Sequence, residues 1–206
     1  STLFGLLTRF IEPTAGTIHF CGRDITRDRP ADVARDGLVR SFQISAVFGG
    51  LSVLDNVRVA LQRPHGLGHR FWRSPRALDA LTDEAMEALA MVDLAGVADR
   101  PAGVLPYGSR RALELATAIA LRPRVLLLDE PMAGIAHENV PGIADLIRRA
   151  AADRTVVMVE HNLDVVAALC GRITVLQQGR ILATGSYAEV SADPRVREAY
   201  MGAGDE

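Results

Sequence analysis

The sequence predicts an α/β fold built on a parallel sheet, and three observations predict it. Val125-Leu126-Leu127-Leu128 and Thr155-Val156-Val157-Met158-Val159 are short apolar runs without polar alternation, the habit of strands buried on both faces of a parallel sheet. Segments with apolar residues at helical spacing alternate with such runs, as the helices of an α/β sheet do. Both runs end in polar residues, Asp129-Glu130-Pro131 and Glu160-His161-Asn162, and ligand sites in open α/β sheets lie beyond the carboxyl ends of strands.

The elements follow in order. Apolar residues at 3, 6, 7 and 10 give a helix, with Ser1 and Thr2 in its opening turn. Glu12-Pro13-Thr14-Ala15-Gly16 breaks it, and 17–21 reads as a short strand turned by Gly22-Arg23-Asp24. His19 alternates with Ile18 and Phe20, which makes it a surface strand residue rather than a ligand. A short helix over 31–37 and a strand over 38–43 follow, the strand ending at Gln43. Another helix starts near 51 and runs to about 61. Residues 63–73, rich in Gly, His and Arg, read as a solvated loop, whose glycines and Pro64 keep His65 and His69 from sharing a helix face. Helical spacing returns over 77–94. A loop with Pro101, Gly103, Pro106 and Gly108 leads to a helix over 109–121, with Arg110 and Arg111 at its start facing either solvent or an anion. After the Val125 strand come a helix over 140–151, the Thr155 strand, a helix over 163–170, a strand over 173–176, a Gly179-Arg180 turn and a strand over 181–184.

Composition bounds the function classes. The 206 residues are 49% hydrophobic and 23% charged, with a formal net charge of −2, the balance of a globular protein without a basic nucleic-acid-binding surface. Cys21 and Cys170 have no metal-ligand spacing and read as small packing residues. No run approaches the roughly 18 apolar residues of a membrane span, and the start is unlike a secretory signal. Any membrane connection is therefore expected through a partner.

Asp129 and Glu130 carry the strongest chemistry. Adjacent carboxylates at a strand end suit a divalent cation and an activated water, because hard cations prefer oxygen ligands. An acidic turn after a core strand is the plain alternative. The surrounding motifs favour the chemical reading. Phe42-Gln43, then Leu105-Pro106-Tyr107-Gly108-Ser109 with Arg110, Arg111 and a helix, then Leu127-Leu128-Asp129-Glu130-Pro131, then His161 stand in the order of the glutamine loop, signature loop, Walker B strand with catalytic glutamate, and switch histidine of ATP-binding cassette (ABC) transporter subunits. The sequence resembles that family along essentially its whole length. Ser1-Thr2 match the end of its phosphate loop, G-x-x-x-x-G-K-[ST] and the residue after it. Ser1-Thr2-Leu3-Phe4, Pro13-Thr14-Ala15-Gly16, Gly22-Arg23-Asp24-Ile25-Thr26, Leu105-Pro106-Tyr107-Gly108 and Ala199-Tyr200-Met201-Gly202 look like the ATPases of branched-chain amino-acid uptake.

The resemblance implies a P-loop NTPase (RecA-like) parallel-sheet core with β-subdomain elements and an inserted helical signature subdomain. It implies a single domain over 1–206, incomplete at its N-terminus, with a catalytic core of 1–58 and 122–206 and a helical part of 59–121. ATP and Mg²⁺ are the implied ligands. Ser1, Gln43 and Asp129 would hold the metal and its shell, with Thr2 near the α-phosphate. Glu130 would orient or deprotonate the attacking water, Gln43 would touch that water, and His161 would stabilise the γ-phosphate. Leu105, Pro106, Tyr107, Gly108 and Ser109 would contact ATP bound to an opposite subunit. The implied partners are a second ABC ATPase subunit, identical or paralogous, transmembrane permease subunits and, through them, a solute-binding protein. The implied place is the cytoplasmic face of the plasma membrane, held there by the permease, with no nucleic acid involved.

Two departures stand out. Pro106, Tyr107 and Ser109 differ from the common L-S-G-G-Q signature, and Ala133-Gly134-Ile135-Ala136-His137-Glu138 lacks the aspartate of the usual dimer-contact loop, so coupling between two ATP sites is expected to differ. The chain opens on Ser1, and the resemblance expects upstream residues: the glycines and lysine of the phosphate loop, the strand before it and an adenine-stacking aromatic. That strand is expected beside the Val125 strand, and the 206 residues alone are expected neither to bind ATP tightly nor to fold robustly. Two other functions stay open: an ABC protein acting on ribosomes or DNA, which would carry tandem cassettes or long coiled-coil insertions, and an interaction module that does not turn over ATP.

Overall fold

The computed structural model describes residues 1–41, 47–62, 65–66 and 79–201, with residues 200 and 201 described by backbone alone. Two compact units divide the chain, Ser1–Val159 and Glu160–Glu206. In the first, Ser1 precedes helix α1 (Thr2–Leu7), which ends where Thr8 caps it and Arg9 takes φ 64°. Strands β1 (His19–Phe20) and β2 (Arg23–Asp24) form a hairpin. Its turn is Cys21-Gly22, with φ of 50° and 81°, one residue before the turn expected from sequence. Two consecutive positive φ values make a tight hairpin turn, so Arg23 and Asp24 pair in the ladder instead. Cys21 at the tip is exposed, not a packing residue.

Helix α2 (Pro30–Arg35), with Pro30 at its first position, leads to β3 (Leu38–Arg40). Residues 42–46, Gln43 among them, lie outside the described residues, as do His69 and most of 63–78. Helix α3 (Val53–Gln62) carries Val53, Leu54, Val57 and Leu61 on one buried face. Helix α4 (Thr82–Met91) and helix α5 (Tyr107–Ala120) pack against it and each other. This helical layer runs from Val53 to Ala120, and residue 59 lies inside α3. His65 sets its Nε2 2.8 Å from Glu84 on α4, so this part of the expected loop lies on the helical layer.

Residues 49–54 run antiparallel to 98–103, joined by Gly103 N–H to Gly49 O (3.0 Å), Ala102 N–H to Leu51 O (2.9 Å) and Val53 N–H to Arg100 O (2.9 Å). Gly49 and Gly103 meet so closely that a Cβ on Gly103 would lie 3.0 Å from the Gly49 oxygen. Asn56, 3% exposed, takes up both ends of this loop with its amide, accepting from Phe48 N–H (2.7 Å) and donating to Phe48 O (3.1 Å) and Ser52 O (2.8 Å).

Strand β4 (Val125–Asp129), helix α6 (Val140–Ala150) and strand β5 (Thr155–Val159) complete the unit. The sheet is parallel, in the order β3-β4-β5, with Leu38 opposite Val125 and Val125 opposite Thr155. Both ladders of β4 are therefore filled, and no further strand fits beside it. This corrects the expectation of an adjoining strand there; among the described residues the open ladders are the outer edges of β3 and β5. Phe4, Ile25, Val33, Leu38 and Leu127 form a buried cluster on one face.

The second unit holds α7 (Leu163–Leu169), the hairpin of β6 (Ile173–Gln177) and β7 (Arg180–Gly185), α8 (Tyr187–Ala192) and α9 (Pro194–Met201). Gln178 and Gly179 form its turn at φ 50° and 77°, again one residue ahead of the expected position. Ser186 and Glu189 cap α8 reciprocally. Among the described residues, no helix is long and apolar enough to cross a membrane.

Candidate functional site

Asp129 is the last residue of β4 and is 2% exposed. Its alternation with Leu127 aims it toward α1, where its Oδ2 lies 2.5 Å from the Ser1 nitrogen and 2.6 Å from Arg40 Nη2. Arg40 closes β3 on the neighbouring ladder, its guanidinium 5.9 Å from the centre of the Phe4 ring. Burial pushes the Asp129 carboxyl up, but the hydrogen bonds and charges of Arg40 and of the amino group that opens these 206 residues outweigh it. They hold the group below its ordinary value of 3.8. The result is an ionised carboxylate in a dry place. Sequence reasoning does not single out Arg40, because strand order is not visible in the sequence and an inward-facing guanidinium looks the same there as a solvated one.

Glu130 follows with φ 47°, the left-handed region that a non-glycine residue enters at a cost of roughly 1 kcal/mol or more. Its N–H donates to Val159 O (2.9 Å), prolonging the β4-β5 ladder by one bond. Its carbonyl accepts from Ala133 N–H at 3.0 Å and faces Arg111 Nη2 at 3.4 Å. The chain therefore turns sharply at the carboxylate, and Pro131 and the buried Met132 lead it away from the sheet.

The signature stretch divides by burial. Leu105 is 5% exposed and packs inward, so it anchors the loop rather than offering its side chain to a ligand. Pro106 is exposed and extended (φ −54°, ψ 155°), and its carbonyl accepts the first helical bond, from Arg110 N–H (3.0 Å). Helix α5 thus begins at Tyr107, two residues earlier than expected. Proline suits the position before a helix, and a first-turn glycine gives up no hydrogen bond there. The first-turn N–H groups of Tyr107, Gly108 and Ser109 have no acceptor within the helix, the arrangement that favours an anion. Tyr107, 44% exposed, donates its hydroxyl to Ala133 O (3.0 Å). Arg111 is not a solvated cation: its side chain is 10% exposed and pairs with Glu114 at 2.6 Å.

Ser1 and Thr2 are exposed at the start of α1, with Ser1 near Asp129 and Thr2 one residue further on. The structure thus brings together Ser1 and Asp129, with Glu130 following Asp129 in the chain, and sets the Tyr107 turn near Ala133. His161 belongs to the second unit, in the segment between Val159 and α7. It is exposed, and its N–H and that of Asn162 both donate to the Glu160 carboxylate, at 3.0 and 3.1 Å. Asn162 in turn caps α7 by accepting from Asp164 and Val165 N–H. The histidine therefore stands on a turn fixed from both sides. Half-buried Cys170 has its thiol pushed up by burial and by the charge of Glu160.

Among the described residues, no group of three His, Cys, Asp or Glu side chains could hold a metal by itself. A single buried carboxylate with Ser1 beside it is a donor set that Mg²⁺ would complete, since that ion takes one or two carboxylates and fills its remaining positions with water and phosphate oxygens.

Known proteins resemble this chain in sequence and in fold. The family described as ABC transporter matches residues 1–133, and the family described as branched-chain amino acid ATP-binding cassette transporter matches residues 180–206. The high-affinity branched-chain amino acid transport ATP-binding protein BraF of Pseudomonas aeruginosa is 35% identical over 98% of this chain and 82% of its own length. LivG of Salmonella typhimurium, described in the same words, is 34% identical with the same coverage. Among solved structures, a nucleotide-free ATP-binding cassette from an ABC transporter superposes with a TM-score of 0.81 at 27% identity, over 97% of this chain and 82% of that one. An ADP conformation of an ABC transporter cassette gives 0.80 at 27% identity, over 98% of this chain and 82% of its own.

Proposed function

The chain belongs to the ABC transporter family, and from that premise we propose that it is the ATP-binding subunit of an importer of branched-chain or related amino acids, hydrolysing MgATP at an interface between two such subunits. The observation that carries the hydrolytic reading is the carboxyl end of β4, where a buried, ionised Asp129 is followed by Glu130 in a left-handed turn. The solute rests on the match at residues 180–206 and on the activity named for BraF and LivG.

In this reading residues 1–58 and 122–206 form the catalytic core and 59–121 the helical part. Asp129, the Ser1 hydroxyl and Gln43 hold Mg²⁺ and its water shell, with Thr2 beside the α-phosphate. When bound, Mg²⁺ neutralises charge on the phosphate oxygens. Phosphoryl transfer asks the protein chiefly for position and charge. Glu130 orients the attacking water and accepts its proton, Gln43 bonds that water, and His161 donates to the γ-phosphate as charge develops. The first-turn amides of α5, presented by Leu105 and Pro106 and lying on Tyr107, Gly108 and Ser109, face the γ-phosphate on the opposite subunit. Two subunits therefore close around ATP and part after hydrolysis, driving permease subunits that receive the amino acid from a solute-binding protein. The subunit sits at the cytoplasmic face of the membrane through that permease.

Reconstitution tests it. The natural full-length protein, assembled with its permease and solute-binding protein in proteoliposomes, is expected to raise its ATPase rate when leucine, isoleucine or valine loads the binding protein. ATPase activity that ignores every amino acid sinks the import reading, and absence of MgATP turnover sinks the hydrolytic one.

A further inference from the structure

The first turn of α5 and the turn after β4 are joined at two points. Tyr107 Oη donates to Ala133 O at 3.0 Å, and a Cβ on Gly134 would lie 3.0 Å from that same hydroxyl. About one helical turn on, Arg111 Nη2 reaches the Glu130 carbonyl at 3.4 Å, while its Nη1 is held by Glu114 at 2.6 Å. The Arg111 and Glu114 side chains are only 10% and 9% exposed, so the pair is dry and each charge needs the other. Glu130 and Gly134, which bracket this turn, both have positive φ, of 47° and 73°. A non-glycine residue keeps such a conformation when its surroundings impose it.

The geometry points to Tyr107 and Arg111 as positioning residues that fix the backbone beneath Glu130 and bind it to the signature turn of the same subunit. The inference rests on the roles proposed above for Glu130 and the signature turn. Its consequence is mechanical. The turn that faces ATP on the opposite subunit and the carboxylate that faces the subunit's own ATP move as one piece, so the closing of one site is felt at the other. The loop Ala133-Gly134-Ile135-Ala136-His137-Glu138 carries no aspartate, and this intramolecular strap supplies a link between sites by another route.

The test uses MgATP turnover by the natural full-length protein. Tyr107→Phe removes the hydroxyl, and Gly134→Ala crowds it without altering the signature turn. Both are expected to lower kcat roughly tenfold through misplacement of the carboxylate. Their KM for MgATP should match the parent; Tyr107→Phe should melt close to it and Gly134→Ala a few degrees lower, since alanine is strained at φ 73°, with the protein still fully folded at the assay temperature. Arg111→Lys is expected to retain part of the turnover that Arg111→Gln loses. Unchanged kcat in Tyr107→Phe and Gly134→Ala overturns the inference, as does a fall in kcat matched by loss of folded protein. These two variants decide the matter alone if Arg111→Gln does not fold. Glu130→Gln, assayed alongside, separates the two levels: normal turnover there removes the catalytic reading itself, whatever the strap variants do.

Discussion

Strands β4 and β5 are equally apolar in sequence, equally long and paired residue for residue, yet they live in different surroundings. Leu127 and Val157 are register partners on one face of the sheet. Leu127 is 1% exposed, inside the cluster of Phe4, Ile25, Val33 and Leu38, whereas Val157 is 39% exposed. β4 has a strand on each side and β5 has one among the described residues. An apolar run therefore states how much burial a strand can accept; its neighbours decide how much it receives. The chemistry follows the same division. The end of β4 places a buried ionised carboxylate beside Arg40, while its register partner at the end of β5, Val159, titrates nothing.

The largest effect expected at the β4 end is catalytic. Glu130→Gln should lower kcat about 100-fold or more with MgATP still bound, trapping a closed dimer visible by size-exclusion chromatography. Normal turnover would remove the distinction between the two strand ends. Next comes stability. Leu127→Ala should cost about 2–5 kcal/mol in denaturant unfolding, because it opens a cavity in a closed cluster. Val157→Ala should cost roughly 1 kcal/mol or less. Equal losses would show that β5 is as buried as β4. Acid then sharpens the contrast. The folded-state pKa of Asp129 lies below 3.8, so its contribution is present above that value and lost as pH falls through the lower, folded one. In the 206-residue chain, whose opening amino group is one of the partners that depress Asp129, the stability gap between the parent and Asp129→Asn should hold steady down to about pH 4 and narrow below it. A gap that closes near pH 6 contradicts the depressed pKa. Smallest of all, Val157→Thr should shift unfolding by about 0.5 kcal/mol or less, since a half-exposed strand position accepts a hydroxyl.

Periodicity made the helices and both apolar strands legible, because each rests on local spacing. Strand order was not legible. Nothing within Val125–Asp129 says that β3 and β5 will take both of its edges. Turn positions slipped by one residue at Cys21 and Gln178 because non-glycine residues took positive φ there, a choice made by the hairpin and not by residue type. At the site, Asp129 and Glu130 could be read from the motif. Arg40 and Arg111 could not, since a guanidinium facing inward has the same sequence signature as one in water. The left-handed turn at Glu130 was equally hidden, because it is imposed by bonds to Val159, Ala133 and Arg111.

The meeting of Gly49 and Gly103 has a consequence for sequence variation. With the Gly49 oxygen 3.0 Å from where a Cβ on Gly103 would stand, even alanine requires the two segments to shift by a few tenths of an ångström. Backbone stands against backbone, so no side-chain rotamer can relieve the collision. Position 103 thus strongly favours glycine, although its neighbour Val104 is exposed and free to vary in size. A saturation library selected for folded protein should return glycine there and a broad spectrum at 104, recording in the language of tolerated substitutions where two distant segments touch.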